Sequence, residues 1–192
     1  MRRRPTDPTK RRRSQPSSAR RGVQVQRSKS KSPRRGASGE YTISWRANAT
    51  GVGSIGVRVR AAVRAALRRH DVRSARISVI GVSDKQMARL NEGHLRHRGA
   101  TDVLTFDLST VPAEVDGEIV LSLDRARREA VRRGHAVSSE AALYAVHGVL
   151  HLLGYDDHEP RHAERMHRME DEVLSRLGLG AVYSTRTKVR SG

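Results

Sequence analysis

The sequence predicts an α+β fold in which a small mixed sheet of about four strands packs with about five helices. Helical and strand-like stretches are mixed along the chain, and two strand-like stretches, residues 102–107 and 117–122, lie close together in its middle. No internal repeat is present. A mixed order of this kind, with neighbouring strands in the centre, favours a helix-covered sheet over an array of repeated units.

Four stretches have the composition of strands. Residues 41–45 alternate between apolar and polar side chains, and the other three are short runs rich in Val, Ile, Leu and Phe. The predicted strands are residues 41–45, 76–82, 102–107 and 117–122.

Five stretches have helical periodicity or helix-boundary residues. Ser83 and Gln86 have the spacing of a capping box, Ser138 or Ser139 is placed to cap the fourth helix, and Gly134 and Gly154 are placed to end helices. The polar stretch 91–100 is predicted to be a loop. The predicted helices are residues 55–69, 83–91, 123–133, 138–153 and 160–177.

The positive charge is concentrated at the N-terminus. Residues 1–40 carry fourteen Lys and Arg and two acidic residues, so they hold twelve of the eighteen net positive charges. Residues 1–38 have almost no large apolar side chains and are predicted to be a disordered basic tail. Such a tail binds RNA phosphates or is a solvated extension without a specific partner. Residues 41–178 are the predicted domain, and residues 179–192 a loose C-terminal tail.

Composition limits the class of protein and of metal site. The chain has no cysteine, which excludes disulfides and thiolate metal ligands. No apolar run approaches the ~20 residues of a membrane span, and no apolar stretch follows the basic N-terminus as in a secretory signal. We expect a cytoplasmic location.

The segment from His147 to His158 carries the candidate chemistry. His147 and His151 are four residues apart in a predicted helix, so both imidazoles face the same side and are able to share a metal ion. Gly154 then turns the chain towards Asp157 and His158. A third ligand after this turn leaves an open coordination position for water, as in catalytic zinc sites.

The third ligand is Asp157 or His158. In the metalloprotease pattern H-x-x-x-H-x-x-G-x-x-H it comes six residues after the second histidine, at Asp157, whereas His158 has the more usual chemistry. Asp157 is favoured. Gly148 stands where such peptidases have their catalytic glutamate, which argues against a peptidase. The alternative without a metal is a buried, hydrogen-bonded histidine pair. Zn²⁺ is predicted, although nickel and cobalt suit the same ligands.

Three motifs together resemble the YbeY family of bacterial endoribonucleases. They are His147-Gly-Val-Leu-His-Leu-Leu-Gly-Tyr-Asp156, Thr101-Asp-Val-Leu-Thr-Phe106 and Gly117-Glu-Ile-Val-Leu-Ser122. Leu90-Asn91 also fits, and the resemblance covers about residues 41–178. It implies a zinc-dependent, single-strand-specific endoribonuclease that acts in 16S rRNA 3′-end maturation and ribosome quality control, with ribosomal RNA and the small subunit as partners.

The resemblance implies that His147 and His151 are zinc ligands. The family's usual third ligand is a histidine at the position of Asp157, so this chain departs there. It also departs at Leu95, where many members have an arginine thought to contact RNA. Arg96 and Arg98 flank that position and, with Lys85, are the predicted RNA contacts.

The competing function is a ribosome-associated RNA-binding assembly factor. In that hypothesis the zinc only stabilises the fold, and basic segments provide the affinity for RNA. The loss of the arginine at Leu95 favours this alternative, and weak nuclease activity together with salt-sensitive ribosome binding would distinguish it.

Overall fold

A computed structural model of the chain describes residues 39–47, 52–95, 101–111 and 114–180. The predicted basic tail lies outside these residues, as does the predicted C-terminal tail from residue 181 onwards. Within the described residues, no helix is both long and apolar enough to cross a membrane.

The strands form one mixed sheet in the order β1-β2-β4-β3. β1 is parallel to β2 and β2 is parallel to β4, whereas β3 runs antiparallel to β4, with Val103 opposite Leu121. The strands are β1 (Glu40–Ala47), β2 (Ser74–Val82), β3 (Val103–Asp107) and β4 (Glu114–Ser122).

Five helices accompany the sheet in the described residues, so the predicted α+β class and the approximate number of elements are confirmed. The helices are α1 (Gly53–Arg69), α2 (Asp84–Leu95), α3 (Leu123–Arg133), α4 (Val137–Leu152) and α5 (Pro160–Arg176).

The helices begin and end within two residues of the predicted positions, except at the end of α2. α2 continues to Leu95, because Asn91, predicted to begin a loop, is 6% exposed and belongs to the packed side of the helix. α4 begins at Val137, one residue before the predicted start. The preceding residue, Ala136, has an extended backbone and makes no side-chain hydrogen bond to the helix. The predicted capping box is confirmed: Ser83 N donates to Gln86 Oε1 over 3.0 Å, and Gln86 N donates to Ser83 Oγ over 3.3 Å.

The two faces of the sheet are covered unequally. Buried strand residues such as Ile77, Val79 and Ile119 face the main core, which contains the apolar sides of α1 and α4. The opposite face carries a much smaller cluster around Met87 of α2 and Val120. α4 therefore packs against the more deeply buried face of the sheet.

Gly148 brings α4 unusually close to β4. A methyl group at this position would lie 2.8 Å from Cγ2 of Ile119, closer than van der Waals contact allows. Ile119 is fully buried in the centre of the sheet. The glycine therefore sets the distance between α4 and the sheet at the turn of the helix that carries His147 and His151.

Replacement of Gly148 by alanine is expected to destabilise the fold. The added methyl group forces Ile119 or the backbone of α4 to move, and such overpacking lowers the free energy of unfolding by about 1–3 kcal/mol, partly offset by the better helix propensity of alanine. Urea denaturation measures the effect.

Gly53→Ala is the matched control. Gly53 begins α1 and has open space around the position of a side chain, so this change should leave the stability equal or higher. Equal stability of the two variants would contradict the close approach at Gly148.

Candidate metal centre

His147 and His151 point their Nε2 atoms at each other across one turn of α4. The two atoms are 3.0 Å apart, and the ring centroids are 4.6 Å apart with the ring planes at 86°. The side chains are 19% and 28% exposed, so the pair lies at the edge of the core and opens to solvent. The i, i+4 spacing therefore produces the juxtaposition that the sequence predicts.

Asp157 approaches the same point from the turn that follows α4. Its Oδ2 lies 3.7 Å from His147 Nε2, and its Oδ1 lies 3.9 Å from His151 Nε2. All three side chains offer a ligand atom within 4.8 Å of the others. One metal ion is able to reach two imidazole nitrogens and one carboxylate oxygen here.

His158 is turned away from the histidine pair. Its Nδ1 contacts Oδ1 of Asp156, its backbone N–H donates to the same carboxylate over 3.1 Å, and its side chain is 86% exposed. Asp156 therefore pairs with His158. His158 clusters with Asp156 and Asp157 on the exposed side of the turn, and the geometry favours Asp157 as the third ligand.

Gly154 and Tyr155 shape the turn that carries Asp157. Gly154 has φ 81°, a left-handed conformation that glycine adopts without strain. The Tyr155 N–H then donates to the Leu150 carbonyl over 2.9 Å, and its own carbonyl accepts a hydrogen bond from His151 Nδ1 over 3.1 Å. The turn therefore positions both a candidate ligand and the ring of another.

Glu170 of α5 is a site residue that the sequence analysis missed. Its Oε1 lies 2.6 Å from Nδ1 of His147, and the residue is fully buried. Its other oxygen, Oε2, makes no hydrogen bond within the described part of the chain. Burying a carboxylate is costly unless it is paired, and the His147 imidazole is the partner that offsets this cost.

A signal for Glu170 is present in the sequence. It occupies an apolar register of α5, four residues after the buried Met166 and four before the buried Leu174. An acidic residue at a core position of an amphipathic helix indicates a buried partner. The sequence does not show which partner, because His147 is 23 residues away.

The two hydrogen bonds on Nδ1 fix the tautomers of both rings. His147 Nδ1 donates to the Glu170 carboxylate, and His151 Nδ1 donates to the Tyr155 carbonyl. The lone pairs of the neutral rings are therefore on Nε2, facing each other and Asp157. This donor set of two nitrogens and one oxygen suits a zinc ion with an open position, so the residues fit such a metal.

The electrostatic environments of the two imidazoles differ. Burial alone would lower the pKa of His147, but the hydrogen bond to Glu170 and its negative charge outweigh burial and raise it. Burial lowers the pKa of His151, and the charge of His147 lowers it further. His151 is therefore neutral, as a metal ligand must be, over a wider pH range than His147.

Of the predicted RNA contacts, only Lys85 lies among the described residues, and it is not part of this cluster. Lys85 is exposed on the first turn of α2. Arg96 and Arg98 lie outside the described residues, and α2 ends at Leu95, of which only the backbone is described. Their role in RNA binding remains a prediction.

Comparison with known proteins decides the family. The family model described as endoribonuclease YbeY matches residues 49–178, which contain every strand and helix of the structure except β1. This chain belongs to the YbeY family. The match also spans the histidine pair, Asp157 and Glu170.

Individual YbeY proteins support this membership. Proteins named endoribonuclease YbeY are 41% identical over 112 residues in Wolinella succinogenes, covering 58% of this chain and 79% of the relative, and 37% identical over 131 residues in Chlorobium phaeovibrioides, covering 68% and 87%. A Myxococcus xanthus relative is 37% identical over 123 residues, covering 62% of this chain and 42% of the relative.

The solution structure of TM1509 from Thermotoga maritima matches with a TM-score of 0.48 and 22% identity, over 71% of this chain and 91% of that one.

Glu170→Gln is expected to weaken binding of a divalent transition metal at His147 and His151. The change removes the negative charge beside the His147 Nδ1–H, and loss of such a supporting contact typically reduces metal affinity by about 10–100-fold. Competition with a fluorescent chelator measures the affinity for Zn²⁺ and Co²⁺.

Glu172→Gln provides the control on the same helix. Glu172 pairs with Arg69 over 2.8 Å and does not contact His147 or His151 in the described structure. Its replacement should leave metal affinity unchanged. Equal losses in the two variants would show that Glu170 acts only through the stability of α5.

Proposed function

We propose that this chain is a zinc-dependent, single-strand-specific endoribonuclease acting in 16S rRNA 3′-end maturation and ribosome quality control. The observation that carries the proposal is the convergence of His147, His151 and Asp157 in a member of a family whose relatives are named endoribonucleases. Ribosomal RNA in the small subunit is the proposed substrate, and the cytoplasm the proposed location.

Each residue of the centre has a distinct role in this proposal. His147 and His151 would hold Zn²⁺ through Nε2, and Asp157 would hold it through a carboxylate oxygen. The bound ion would supply an activated water at neutral pH and would stabilise negative charge on the scissile phosphate. Glu170 and the Tyr155 carbonyl keep the two rings in the orientation that binding requires, since each accepts the Nδ1 hydrogen.

The surroundings of the centre fit hydrolysis of RNA better than of peptides. Gly148 occupies the position of the peptidase glutamate, and the contact with Ile119 leaves no space there for any side chain. Arg96, Arg98 and Lys85 hold the RNA backbone in this proposal, and the basic N-terminal segment, residues 1–38, adds phosphate contacts.

The histidine pair provides the first test. The double variant His147→Ala/His151→Ala should lose bound zinc and all cleavage of single-stranded RNA, since two of the three ligands are removed. Zinc content is measured by mass spectrometry, and cleavage on a labelled 16S rRNA 3′-end fragment.

Two results would overturn the proposal. Cleavage that survives in the double variant would place the active site elsewhere. An unmodified protein that binds zinc and small subunits but cleaves no RNA would support the assembly-factor function instead.

The identity of the third ligand is tested by two single substitutions. Asp157→Ala should reduce both zinc affinity and cleavage, and Asp157→His should retain both, since histidine supplies an alternative donor at that position. His158→Ala should change neither, because this side chain is exposed and turned towards Asp156. The assignment is wrong if His158→Ala loses zinc and Asp157→Ala does not.

A further inference from the structure

Three arginines form a stripe along the outer face of α1. Arg60, Arg64 and Arg68 follow one another at four-residue intervals, so their side chains leave the same side of the helix over a length of about 12 Å. Arg68 is exposed, and Arg60 and Arg64 are half-buried. We call these three residues the α1 stripe.

The three arginines of the α1 stripe have no acidic partner among the described residues, whereas most arginines of α3 are paired with acids. α1 contains no Asp or Glu, and none of the three residues makes an ion pair within the described part of the chain. Several arginines of α3 and α5 pair with an acid on their own helix. Examples are Arg127 with Asp124, Arg132 with Glu129, Arg168 with Glu164 and Arg176 with Glu172.

The arrangement of the stripe is unfavourable for the isolated fold. Like charges at i and i+4 repel each other, so the pairs Arg60–Arg64 and Arg64–Arg68 each reduce the stability of the helix. Sequences tend to violate such local rules where function requires it. An anionic partner that lies along the stripe would relieve this repulsion, and the relief would add to the free energy of binding.

Arg64 is held in place by an aromatic side chain. Its guanidinium lies 5.8 Å from the centre of the Tyr41 ring, over its face. The Tyr41 hydroxyl donates to the carbonyl of Val72 over 2.6 Å, which fixes the ring. The central cation of the stripe is therefore oriented before any partner binds.

The end of α1 that follows the stripe contacts the turn that carries Asp157. Just beyond Arg68, His70 packs its ring edge-on against Tyr155, with centroids 5.3 Å apart. The carbonyl of the same Tyr155 accepts the hydrogen bond from His151. In addition, Arg69 pairs with Glu172 and joins the end of α1 to α5. His70, which follows the stripe in the chain, therefore contacts the turn that carries the candidate ligand Asp157.

We propose that the α1 stripe is a second RNA-binding surface that holds the sugar-phosphate backbone of a long single strand outside the cleavage site. The guanidinium group matches phosphate geometry, whereas protein interfaces are depleted of charge at their centres. The inference rests on the proposed function, because it takes RNA as the substrate.

The test compares two triple variants with equal loss of charge. Arg60→Gln/Arg64→Gln/Arg68→Gln removes the stripe, and Arg127→Gln/Arg132→Gln/Arg168→Gln removes three arginines that are paired with acids. Affinity for a long unstructured single-stranded RNA is measured by fluorescence anisotropy over a series of salt concentrations. Cleavage of a short oligonucleotide that spans only the metal centre is measured in parallel.

The stripe variant should bind the long RNA more weakly, with the slope of log affinity against log salt reduced by about 2, since each phosphate contact contributes ~0.7 on a single strand. The paired-arginine variant should keep nearly the full slope. Thermal melting should show the stripe variant to be about as stable as the unmodified protein, because the removed repulsion offsets the lost contact between Arg64 and Tyr41. The short oligonucleotide should be cleaved equally by all three proteins.

Equal slopes for the two variants would overturn the proposal that the stripe binds RNA, because net charge would then explain the binding. An unchanged affinity of the stripe variant for long RNA would overturn it as well. Failure of the unmodified protein to cleave the short oligonucleotide contradicts the proposed function alone, since the anisotropy measurement does not depend on cleavage.

Discussion

Helix α4 is enclosed by the sheet on one side and by α1, α3 and α5 around it, and eleven of its sixteen residues are buried. A helix in this position has little freedom to rotate or slide, because every neighbour would have to repack. The contact between Gly148 and Ile119 sets its distance from the sheet. The positions of His147 and His151 at its open edge follow from this enclosure.

Helix α5 and the turn before it orient the two histidines of α4. α5 supplies no candidate ligand, yet its buried Glu170 fixes the ring of His147 through Nδ1. The turn between the two helices fixes the ring of His151 through the Tyr155 carbonyl. Both Nε2 atoms are thus directed by groups that come after the histidines in the chain, so the centre depends on α5 packing correctly against α4.

Local periodicity was sufficient to predict the class of the fold and the histidine pair, since both depend on spacing within one element. The end of α2 was mispredicted because Asn91 is polar by composition but buried by packing. The start of α4 was mispredicted because Ser138 and Ser139 have the composition of caps, whereas the helix begins at Val137, after Ala136. Glu170 was missed for a related reason: its partner lies on another helix, and local sequence does not encode that pairing.

Asp157 changes the total charge of the proposed zinc centre. With Zn²⁺ bound as we propose, two neutral imidazoles, one carboxylate ligand and the adjacent Glu170 carboxylate would together carry two negative charges, which would balance the two positive charges of the ion. A histidine at the position of Asp157 would leave the same assembly with one net positive charge. A neutral centre attracts a phosphodiester only weakly at long range. In the proposed zinc enzyme, the long-range attraction for RNA would therefore come from arginines and lysines elsewhere on the protein.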